Sequence, residues 1–365
     1  MAERVVHFFL PGDVDDPAAP SGGNVYDRRV CRGLPAAGWR VHRHAVSGSW
    51  PLPDATDREE LARRLAALPE GAVVLLDGLV ACGVPEVVVP AAARLRTAVL
   101  LHLPLGDETG LAADRAAELD AKERRTLRSA KAVVATSEWA ARRIIGHHGL
   151  PAARVRVARP GVDPAPRASG TDGAGRLLCV AAVTPRKGQH NLVRALAAVA
   201  DLPWSCVCVG GLRREKEYVD QLRRDIVDFG LGGRVHLAGP QAGAELEASR
   251  ATADLEVLTS SAETYGMVVT EALARATPVL ATAVGGIPEA MGRAPDGSLP
   301  GLLVAPDTPE DLASALRSWL GDRELRGRLK ESAQQRRAML EGWEMTSHDL
   351  AEVLEGLRLA HRSAG

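Results

Sequence analysis

The sequence predicts an α/β protein made of two doubly wound parallel sheets, and three observations lead to this prediction. Strand-like and helix-like stretches alternate along nearly all of the 365 residues. The strand-like stretches, such as AVVLL at 72–76, are unbroken apolar runs, as expected for parallel strands that helices cover on both faces. A stretch rich in Pro and Gly near the middle of the chain divides the alternation into two arrays.

The first array begins with a strand at 4–10 (RVVHFFL), followed by a helix that starts in GNVYDRRV and stops near Pro35. Further strands are predicted at 39–46, 72–80, 97–105 and 131–137, with helices at 58–68, 85–95 and 112–130 between them. This succession is typical of a Rossmann-like domain.

The division lies at 159–176 (RPGVDPAPRASGTDGAGR), which has no apolar periodicity and which we interpret as an interdomain linker. We therefore predict a first domain at 1–165 and a second at 166–340. The last helical stretch, 341–365, continues past the second domain and is in a position to pack back on the first.

The second array repeats the alternation beyond the linker. Strands are predicted at 177–183, 204–210, 234–239, 254–260 and 301–306, and helices at 189–200, 216–230, 244–253, 266–276, 309–321 and 323–340. Ligands of such sheets bind outside the carboxyl ends of the strands. Two arrays of this kind predict two Rossmann-like domains that face a central cleft.

Composition excludes several classes of protein. The formal net charge is -1, from 45 basic and 46 acidic residues, and aromatic residues make up 3%, so broad nucleic-acid binding is not expected. Five unpatterned cysteines favour a reducing compartment. The apolar run before Pro11 is too short for a signal peptide or a membrane span. We therefore expect a cytoplasmic protein without integral membrane association.

The segment SAETYGMVVTEALARATPVLATAVGGIPEAM at 261–291 carries the most chemistry. Glu263 lies in a predicted strand-to-helix loop, and Glu271 lies inside the helix that starts near Gly266. The amides of Gly266, Met267 and Val268 would be free first-turn donors, which suit an anion. The pair of glutamates would then bind the sugars on either side of a phosphate. The alternative is two solvated glutamates, since acidic residues suit helix N-termini anyway.

Two further stretches are candidates for contacting a phosphate. Lys187 lies at a strand-to-helix turn, where an ammonium can meet a phosphate, although a solvated loop lysine is the alternative. The loop SGGN at 21–24 follows the first strand and opens a helix, and Gly22 and Gly23 could cradle a phosphate there. Asn24 either caps that helix or contacts an acceptor.

Two more side chains lie at carboxyl ends of predicted strands. His102 ends AVLLHLPL and should face the cleft, although a lone histidine in such a run is more often a core residue. Ser137, in ATSEW, is either an acceptor contact or the N-cap of the next helix. The acidic stretch DVDD at 13–16 lies between prolines and is interpreted as a solvated turn. No metal and no cofactor are therefore predicted.

The motif E-x7-E followed by PVLATAVGGIPE strongly resembles the retaining glycosyltransferases of family four (glycosyl transferases group 1), which have the GT-B fold. The blocks SGGNVYDRRV, LHLPLGDE, ATSEWAARRI, VARPGVD and VAAVTPRKGQHNLVRAL resemble further blocks of that family in the same order. The resemblance extends over most of the chain. It implies that the first domain binds an acceptor and that the second binds a nucleotide sugar.

The resemblance also implies roles for single residues. Glu263 would touch the hydroxyls of the donor sugar, Glu271 would hold the ribose diol, and His102 would lie near the reacting carbon. The remaining donor contacts would come from the amides at Gly266, Met267 and Val268, from Lys187, from Gly22 and Gly23, and from Gly239 near the base. Many relatives carry an arginine where this chain has Ala182, and Arg186 is the candidate to replace that cation.

The expected function is the transfer of a sugar, with retention and without a metal, from a nucleoside-diphosphate sugar to a hydroxyl of a small soluble acceptor. A UDP-sugar is the expected donor, and a polyol or aminocyclitol of secondary metabolism is the expected acceptor. The nucleotide sugar is then a substrate rather than a cofactor. The alternatives are a non-catalytic nucleotide-sugar-binding protein, a GT-B epimerase or phosphorylase, and an enzyme acting on a lipid-linked or glycan acceptor.

Overall fold

A computed structural model describes residues 3–16, 21–108, 110–171 and 173–359. The chain divides into two compact units: Met1–Gly161 with Gly342–Gly365, and Val162–Glu341. The division therefore falls between 161 and 162, inside the predicted linker and slightly before the predicted boundary at 165. The last helix belongs to the first unit.

The first unit contains a six-stranded parallel sheet in the order β2-β1-β3-β4-β5-β6. Its strands are β1 (Val5–Pro11), β2 (Arg40–Val46), β3 (Val73–Asp77), β4 (Arg96–Leu101), β5 (Ala132–Ala135) and β6 (Val155–Val157). Its helices are α1 (Gly22–Gly33), α2 (Ala55–Ala66), α3 (Gly78–Cys82), α4 (Pro85–Arg94), α5 (Ala113–Ser129), α6 (Glu138–His148) and α14 (Trp343–Leu359).

The second unit contains another six-stranded parallel sheet, in the order β12-β11-β10-β7-β8-β9. Its strands are β7 (Arg176–Val180), β8 (Ser205–Val209), β9 (Val235–Gly239), β10 (Leu255–Leu258), β11 (Val279–Thr282) and β12 (Gly301–Val304). Its helices are α7 (Gln189–Ala197), α8 (Lys216–Asp228), α9 (Gly243–Ala251), α10 (Met267–Leu273), α11 (Ile287–Met291), α12 (Pro309–Gly321) and α13 (Arg323–Arg337).

Both faces of each sheet are buried, as the unbroken apolar runs predict. In β3, Val74 and Leu76 belong to one core cluster and Val73 and Leu75 to another, because successive side chains of a strand point to opposite faces. The α/β class and the doubly wound topology are thereby confirmed. Trp343 of α14 contacts the ring of Tyr26 edge-on, so the last helix packs beside α1 in the first unit.

Several local features differ from the sequence prediction. The strand predicted at 72–80 ends at Asp77, and residues 78–82 form α3; the strand predicted at 97–105 ends at Leu101. The short strands β6 and β11 were not predicted, since three or four apolar residues give too short a pattern to separate from a loop. Helix α10 ends at Leu273 rather than 276. Ala276 adopts a positive φ of 57°, which is incompatible with a continuing right-handed helix.

Candidate functional site

The strand orders place one reversal point in each sheet. In the second unit the chain moves outward from β7 through β8 to β9, then returns to β10 on the other side of β7. The loops after β7 and β10 therefore diverge at their carboxyl ends and leave a crevice, where doubly wound sheets bind ligands. Lys187 follows β7, and Glu263 follows β10. The two predicted residues thus lie at the same reversal point.

Lys187 and Glu263 form an ion pair there. The ammonium of Lys187 donates to Oε1 of Glu263, the Ser260 hydroxyl donates to the same oxygen at 2.8 Å, and Nη1 of Arg186 lies 3.8 Å from Oε2. The carboxylate is only 10% exposed. Burial alone would raise the pKa of Glu263, but the nearby Lys187 and Arg186 lower it below its usual value. Glu263 is therefore an ionised hydrogen-bond acceptor at neutral pH.

The glycine pair at 285–286 holds the main chain of Glu263, a role that the sequence analysis did not recognise. The amide of Gly286 donates to the carbonyl of Glu263 at 3.0 Å. A Cβ on Gly285 would lie 1.7 Å from that carbonyl oxygen, and Gly285 has a φ of 57°. Only glycine fits so close an approach in this conformation. The signal was present in the sequence, because Gly285 and Gly286 lie in the loop that follows the unpredicted strand β11.

Helix α10 begins where the sequence predicts. Gly266 is its N-cap residue, with a φ of 94°. Met267 and Val268 form its first turn, where no preceding carbonyl of the helix is available to their amides. The structure thus brings the three predicted amide positions to the loop that carries Glu263. Their contact with a diphosphate stays a prediction.

Glu271 lies in α10 and belongs to a charged network that the sequence analysis missed. Its Oε2 accepts from Nη2 of Arg250 on α9, and the guanidinium of Arg250 is buried. Arg275 pairs with Glu247 beside it. Behind them lies Glu256 of β10, where burial raises the pKa to about 7 despite the opposing charge of Arg250. Spacing could not reveal this network, because its members come from three elements.

Arg186 and Gly239 both lie at the carboxyl ends of strands of the second sheet, Arg186 after β7 and Gly239 at the end of β9. The guanidinium of Arg186 donates to the carbonyl of Ala262 at 3.0 Å, so it fastens the Glu263 loop. The carbonyl of Ala182 accepts a hydrogen bond from Gln189. Gly239 ends β9. The replacement of a missing cation by Arg186 and the base contact of Gly239 stay predictions.

The first unit has its own polar cluster, also at a reversal point. Its sheet reverses between β1 and β3. Asp27 lies on α1 after β1, Asp77 ends β3, and His102 directly follows β4. Nε2 of His102 lies 2.8 Å from Oδ1 of Asp27 and 3.4 Å from Oδ2 of Asp77. The two aspartates were not singled out from the sequence, although Asp27 lies in the block SGGNVYDRRV.

The glycine loop contacts this cluster. A Cβ on Gly23 would lie 3.1 Å from Cδ2 of His102, so the loop and the imidazole are in close contact. The hydroxyl of Ser21 accepts from the amide of Asn24 and is the cap of α1. The capping role considered for Asn24 is therefore wrong. Its amide group instead approaches the carbonyl of Asp13 at 3.5 Å, and its acceptor contact stays a prediction.

Ser137 is the N-cap of α6, which was one of the two roles considered for it; the other was an acceptor contact. Its hydroxyl accepts from the amide of Ala140 at 2.9 Å, and the residue is fully buried. The structure therefore gives no support to the acceptor contact. The stretch at 13–16 forms a turn in which the amide of Asp16 donates to the carbonyl of Asp13, and Asp15 pairs with Arg43.

Among the residues that the structure describes, two clusters of side chains have a composition that could hold a metal ion. One is the group of Asp27, Asp77 and His102, and the other comprises Asp120, His147 and His148 on α5 and α6. His147 already pairs with Asp120, which also contacts Arg124 at 3.2 Å. A guanidinium at that distance opposes a cation. Within the described ranges, no helix combines the length and apolar character needed to cross a membrane.

Two family models match consecutive parts of the chain. The model described as Glycosyltransferase Family 4 matches residues 20–166, and the model described as Glycosyl transferases group 1 matches residues 166–336. They meet inside the linker between the two units. Each model therefore corresponds to one of the two sheets.

Relatives of known name match a smaller share. A D-inositol 3-phosphate glycosyltransferase of Kineococcus radiotolerans is 35% identical over 254 residues, which is 63% of this chain and 58% of the relative. A protein of the same name from Salinispora tropica is 31% identical over 265 residues, or 66% of this chain and 54% of the relative. The matches thus span little more than half of these relatives.

Solved structures match nearly the whole fold. Anabaena HepE in complex with UDP and glucose has a TM-score of 0.75 at 20% identity, covering 96% of this chain and 99% of that one. Sucrose-phosphate synthase of Thermosynechococcus elongatus has a TM-score of 0.76 at 22% identity, covering 98% and 100%. At such identities the similarity is evidence for a shared fold only. With both halves matched by their family models and the fold shared, the chain belongs to the glycosyltransferases of group 1, family 4, and has their GT-B fold.

Proposed function

We propose that this glycosyltransferase moves a sugar from a UDP-sugar to a hydroxyl of a small cyclitol or polyol, with retention of the anomeric configuration. The observation that carries the proposal is the ion pair of Lys187 and Glu263 at the reversal point of the second sheet. It combines a cation suited to a diphosphate with an ionised carboxylate suited to sugar hydroxyls. The first turn of α10 follows three residues after Glu263.

The charge state of Glu263 defines what it can do. Because its pKa is lowered, the carboxylate has no proton to donate near pH 7. It therefore acts as an acceptor for sugar hydroxyls and stabilises positive charge that develops on the sugar ring. A bound diphosphate would share Lys187 with Glu263, which the flexible ammonium allows because it has three donors.

Retention needs no protein nucleophile in this proposal. The bond between the anomeric carbon and the diphosphate oxygen breaks, and a bond to the acceptor oxygen forms on the same face. The acceptor proton passes to the departing phosphate oxygen. The protein supplies orientation and charge stabilisation, with Lys187 and the amides of Met267 and Val268 at the leaving group. We propose that no divalent ion is required.

The second unit is proposed to bind the donor through the ribose as well. Glu271 lies one turn beyond the first-turn amides of α10, and a carboxylate accepts two hydrogen bonds from a vicinal diol. The presence of UDP in the HepE structure supports UDP as the nucleotide. In the first unit, His102 and the loop of Gly22 and Gly23 are proposed to act on the transferred sugar and the diphosphate.

The names of the relatives support a cyclitol acceptor. The two D-inositol 3-phosphate glycosyltransferases make D-inositol 3-phosphate the first acceptor to test, with myo-inositol and an aminocyclitol as comparisons. We propose a cytoplasmic location, because the five unpatterned cysteines favour a reducing compartment.

The experiment offers the purified protein several nucleotide sugars, each with and without the three acceptors, in excess EDTA. We expect acceptor-dependent release of UDP and, by NMR, a product with the anomeric configuration of the donor. Inverted product would contradict retention. Loss of activity in EDTA that manganese restores would contradict metal independence.

A non-catalytic nucleotide-sugar-binding protein is the second candidate, and one observation favours it. By the family resemblance, Ala182 stands where many relatives carry a cation; here its carbonyl accepts a hydrogen bond from Gln189. That protein would bind UDP-sugars in calorimetry but would release no UDP with any acceptor. An epimerase or phosphorylase would instead change the donor without a cyclitol product.

A further inference from the structure

A cavity of about 810 Å³ lies at the amino ends of strands of the first sheet. Arg96 opens β4, Lys131 directly precedes β5, and Arg156 lies in β6. Helix α14 supplies Leu357 to another wall, so all of the lining belongs to the first unit. The amino ends of parallel strands share one edge of the sheet, and His102 follows the opposite end of β4. The cavity is therefore separate from the cluster of His102, and its volume is typical of a small-molecule site.

The lining of this cavity carries more positive than negative groups. It contains three acidic side chains and five basic ones: Glu70, Asp349 and Glu352, and Arg94, Arg96, Lys131, Arg154 and Arg156. Glu352 already contacts Nε2 of His348 at 3.3 Å. Among the described residues, none of the five basic groups forms an ion pair with a carboxylate. The cavity therefore offers uncompensated positive charge to an anion.

Main-chain carbonyls hold two of these guanidinium groups in place without neutralising them. Nη1 of Arg96 donates to the carbonyl of Arg358 at 2.8 Å. Nη1 of Arg154 donates to the carbonyls of Arg128 and Ala130, both at 3.0 Å. A carbonyl has no net charge, and a guanidinium has five N–H donors. Both groups are thus positioned by the fold and keep donors for a ligand.

The backbone leaves room beside the free edge of the Arg96 guanidinium. Nη1 makes the hydrogen bond to Arg358, so Nε and Nη2 remain, and these two parallel donors bind a phosphate in bidentate fashion. A Cβ on Gly71 would lie 3.2 Å from Nη2 and 3.6 Å from Nε, and Gly71 has a φ of 71°. A side chain at this position would press on that edge. Glycine leaves it uncovered.

We propose that this cavity is a binding site for a soluble organic phosphate. Arg96, Lys131 and Arg156 would contact the phosphate, and the buried side chains of Leu95 and Leu357 in the lining would contact its apolar part. A phosphate monoester carries nearly two negative charges at neutral pH, which matches the excess of basic over acidic groups. The site lies apart from the proposed donor and acceptor sites and does not depend on the proposed function.

Calorimetry of the full-length protein with phenyl phosphate tests this site. We expect phenyl phosphate to bind, inorganic phosphate to bind more weakly because it has no apolar part, and phenol not to bind. The affinity should fall as NaCl is added, since the contacts with Lys131 and Arg156 are exposed to solvent. Absence of phenyl phosphate binding, or equal binding of phenol, would overturn the proposal.

The decisive variant is Lys131→Gln/Arg156→Gln, because neither side chain makes a hydrogen bond within the described ranges. We expect the Kd for phenyl phosphate to rise about tenfold, since exposed ion pairs are individually modest. Lys131→Arg/Arg156→Lys keeps both charges and should stay within about twofold of the wild type. Arg328→Gln/Lys330→Gln makes the same charge change at exposed positions of α13 and should leave the Kd unchanged. Equal losses in the two glutamine variants would show non-specific attraction and refute the site.

Two further measurements separate this site from other anion sites. Saturating UDP and the variant Lys187→Ala should both leave phenyl phosphate binding unchanged, because Lys187 lies in the second unit. Displacement by UDP, or loss in Lys187→Ala, would assign the binding to the proposed donor site and refute the cavity alone. Binding in a protein that transfers no sugar would refute the proposed function alone. Binding to vesicles of phosphatidic acid without binding of phenyl phosphate would overturn the soluble ligand.

Discussion

In the first unit the basic side chain beside the buried carboxyl groups is His102, whereas in the second the basic side chains are Lys187 and Arg186. Both clusters lie where their sheet reverses direction, so topology gives the two units the same place for a polar site. The choice of cation separates them. Lysine and arginine stay charged through neutral pH, but a histidine depends on its partners for its charge. The second cluster should therefore be nearly insensitive to pH, and the first should not.

The largest effect is expected at the ribose-binding carboxylate of the second unit. Glu271→Ala removes two hydrogen bonds to a diol, and we expect the affinity for a UDP-sugar to fall by about 2–4 kcal/mol. Calorimetry with UDP-sugar and with uridine measures this loss, which both ligands should share. Glu245→Ala, at an exposed position of α9, is the matched control. An unchanged donor affinity would remove Glu271 from the site.

The next largest effect is expected at Lys187, which stays positively charged through neutral pH. Lys187→Ala should weaken UDP binding by about 1.5–3 kcal/mol, the range for a hydrogen bond to a charged group, and leave uridine binding nearly intact. The loss should be the same at all pH values between 6 and 9. Lys216→Ala, an exposed lysine at the start of α8, is the control. Equal losses for uridine and UDP would rule out the phosphate contact.

A smaller effect is expected from the neighbouring arginine. Arg186→Ala loses its hydrogen bond to the Ala262 carbonyl and a more distant charge at 3.8 Å from Glu263. We expect a loss of about 1 kcal/mol in UDP affinity, less than for Lys187→Ala. One calorimetric series measures the UDP affinities of Arg186→Ala and Lys187→Ala, so that the two losses can be compared directly. A larger loss for Arg186→Ala would indicate that Arg186 does replace the cation missing at Ala182.

The smallest effect concerns stability and compares buried acids in the two units. The folded-state pKa of Glu256 is about 7 against an ordinary 4.5, and that of Asp77 is about 8 against 3.8. Between these values the folded protein binds the extra proton, so the free energy of unfolding falls as pH rises. Glu256→Gln should remove that decline up to pH 7, and Asp77→Asn up to pH 8. The expected change in Tm is on the order of a few °C.

Thermal unfolding from pH 5 to 9 measures both variants against the wild type. As pH rises through each window, the free energy of unfolding of each variant should increase relative to that of the wild type. Above the window, the difference should stay constant. A gain that grows toward low pH would have the opposite sign and would contradict the assignment of a raised pKa. Arg250 loses one of its three nearby carboxylates (Glu271, Glu256 and Glu247) in Glu256→Gln. The gain in the free energy of unfolding should therefore be smaller for Glu256→Gln than for Asp77→Asn.

The residues of the second site could be predicted from the sequence, because they are close along the chain or lie in recognisable blocks. Glu263, Gly266 and Glu271 fall within one loop and one helix, so their order fixes their spacing. The first site could be read only in part. His102 was predicted from its position at the end of an apolar run. Asp27 lies in the block SGGNVYDRRV and Asp77 ends β3, but nothing in their spacing along the chain indicates that they meet His102.

By itself, the sequence determined the α/β class, the two arrays and most elements, because apolar periodicity and Pro/Gly breaks are local properties of the chain. It also determined the family through blocks that keep their order. Only the tertiary structure decided which charges meet: Lys187 with Glu263, Arg250 with Glu271 and Glu256, and the two aspartates with His102. The physical reason is that strand order brings distant segments together, and the charge of a buried group depends on those neighbours more than on its own side chain.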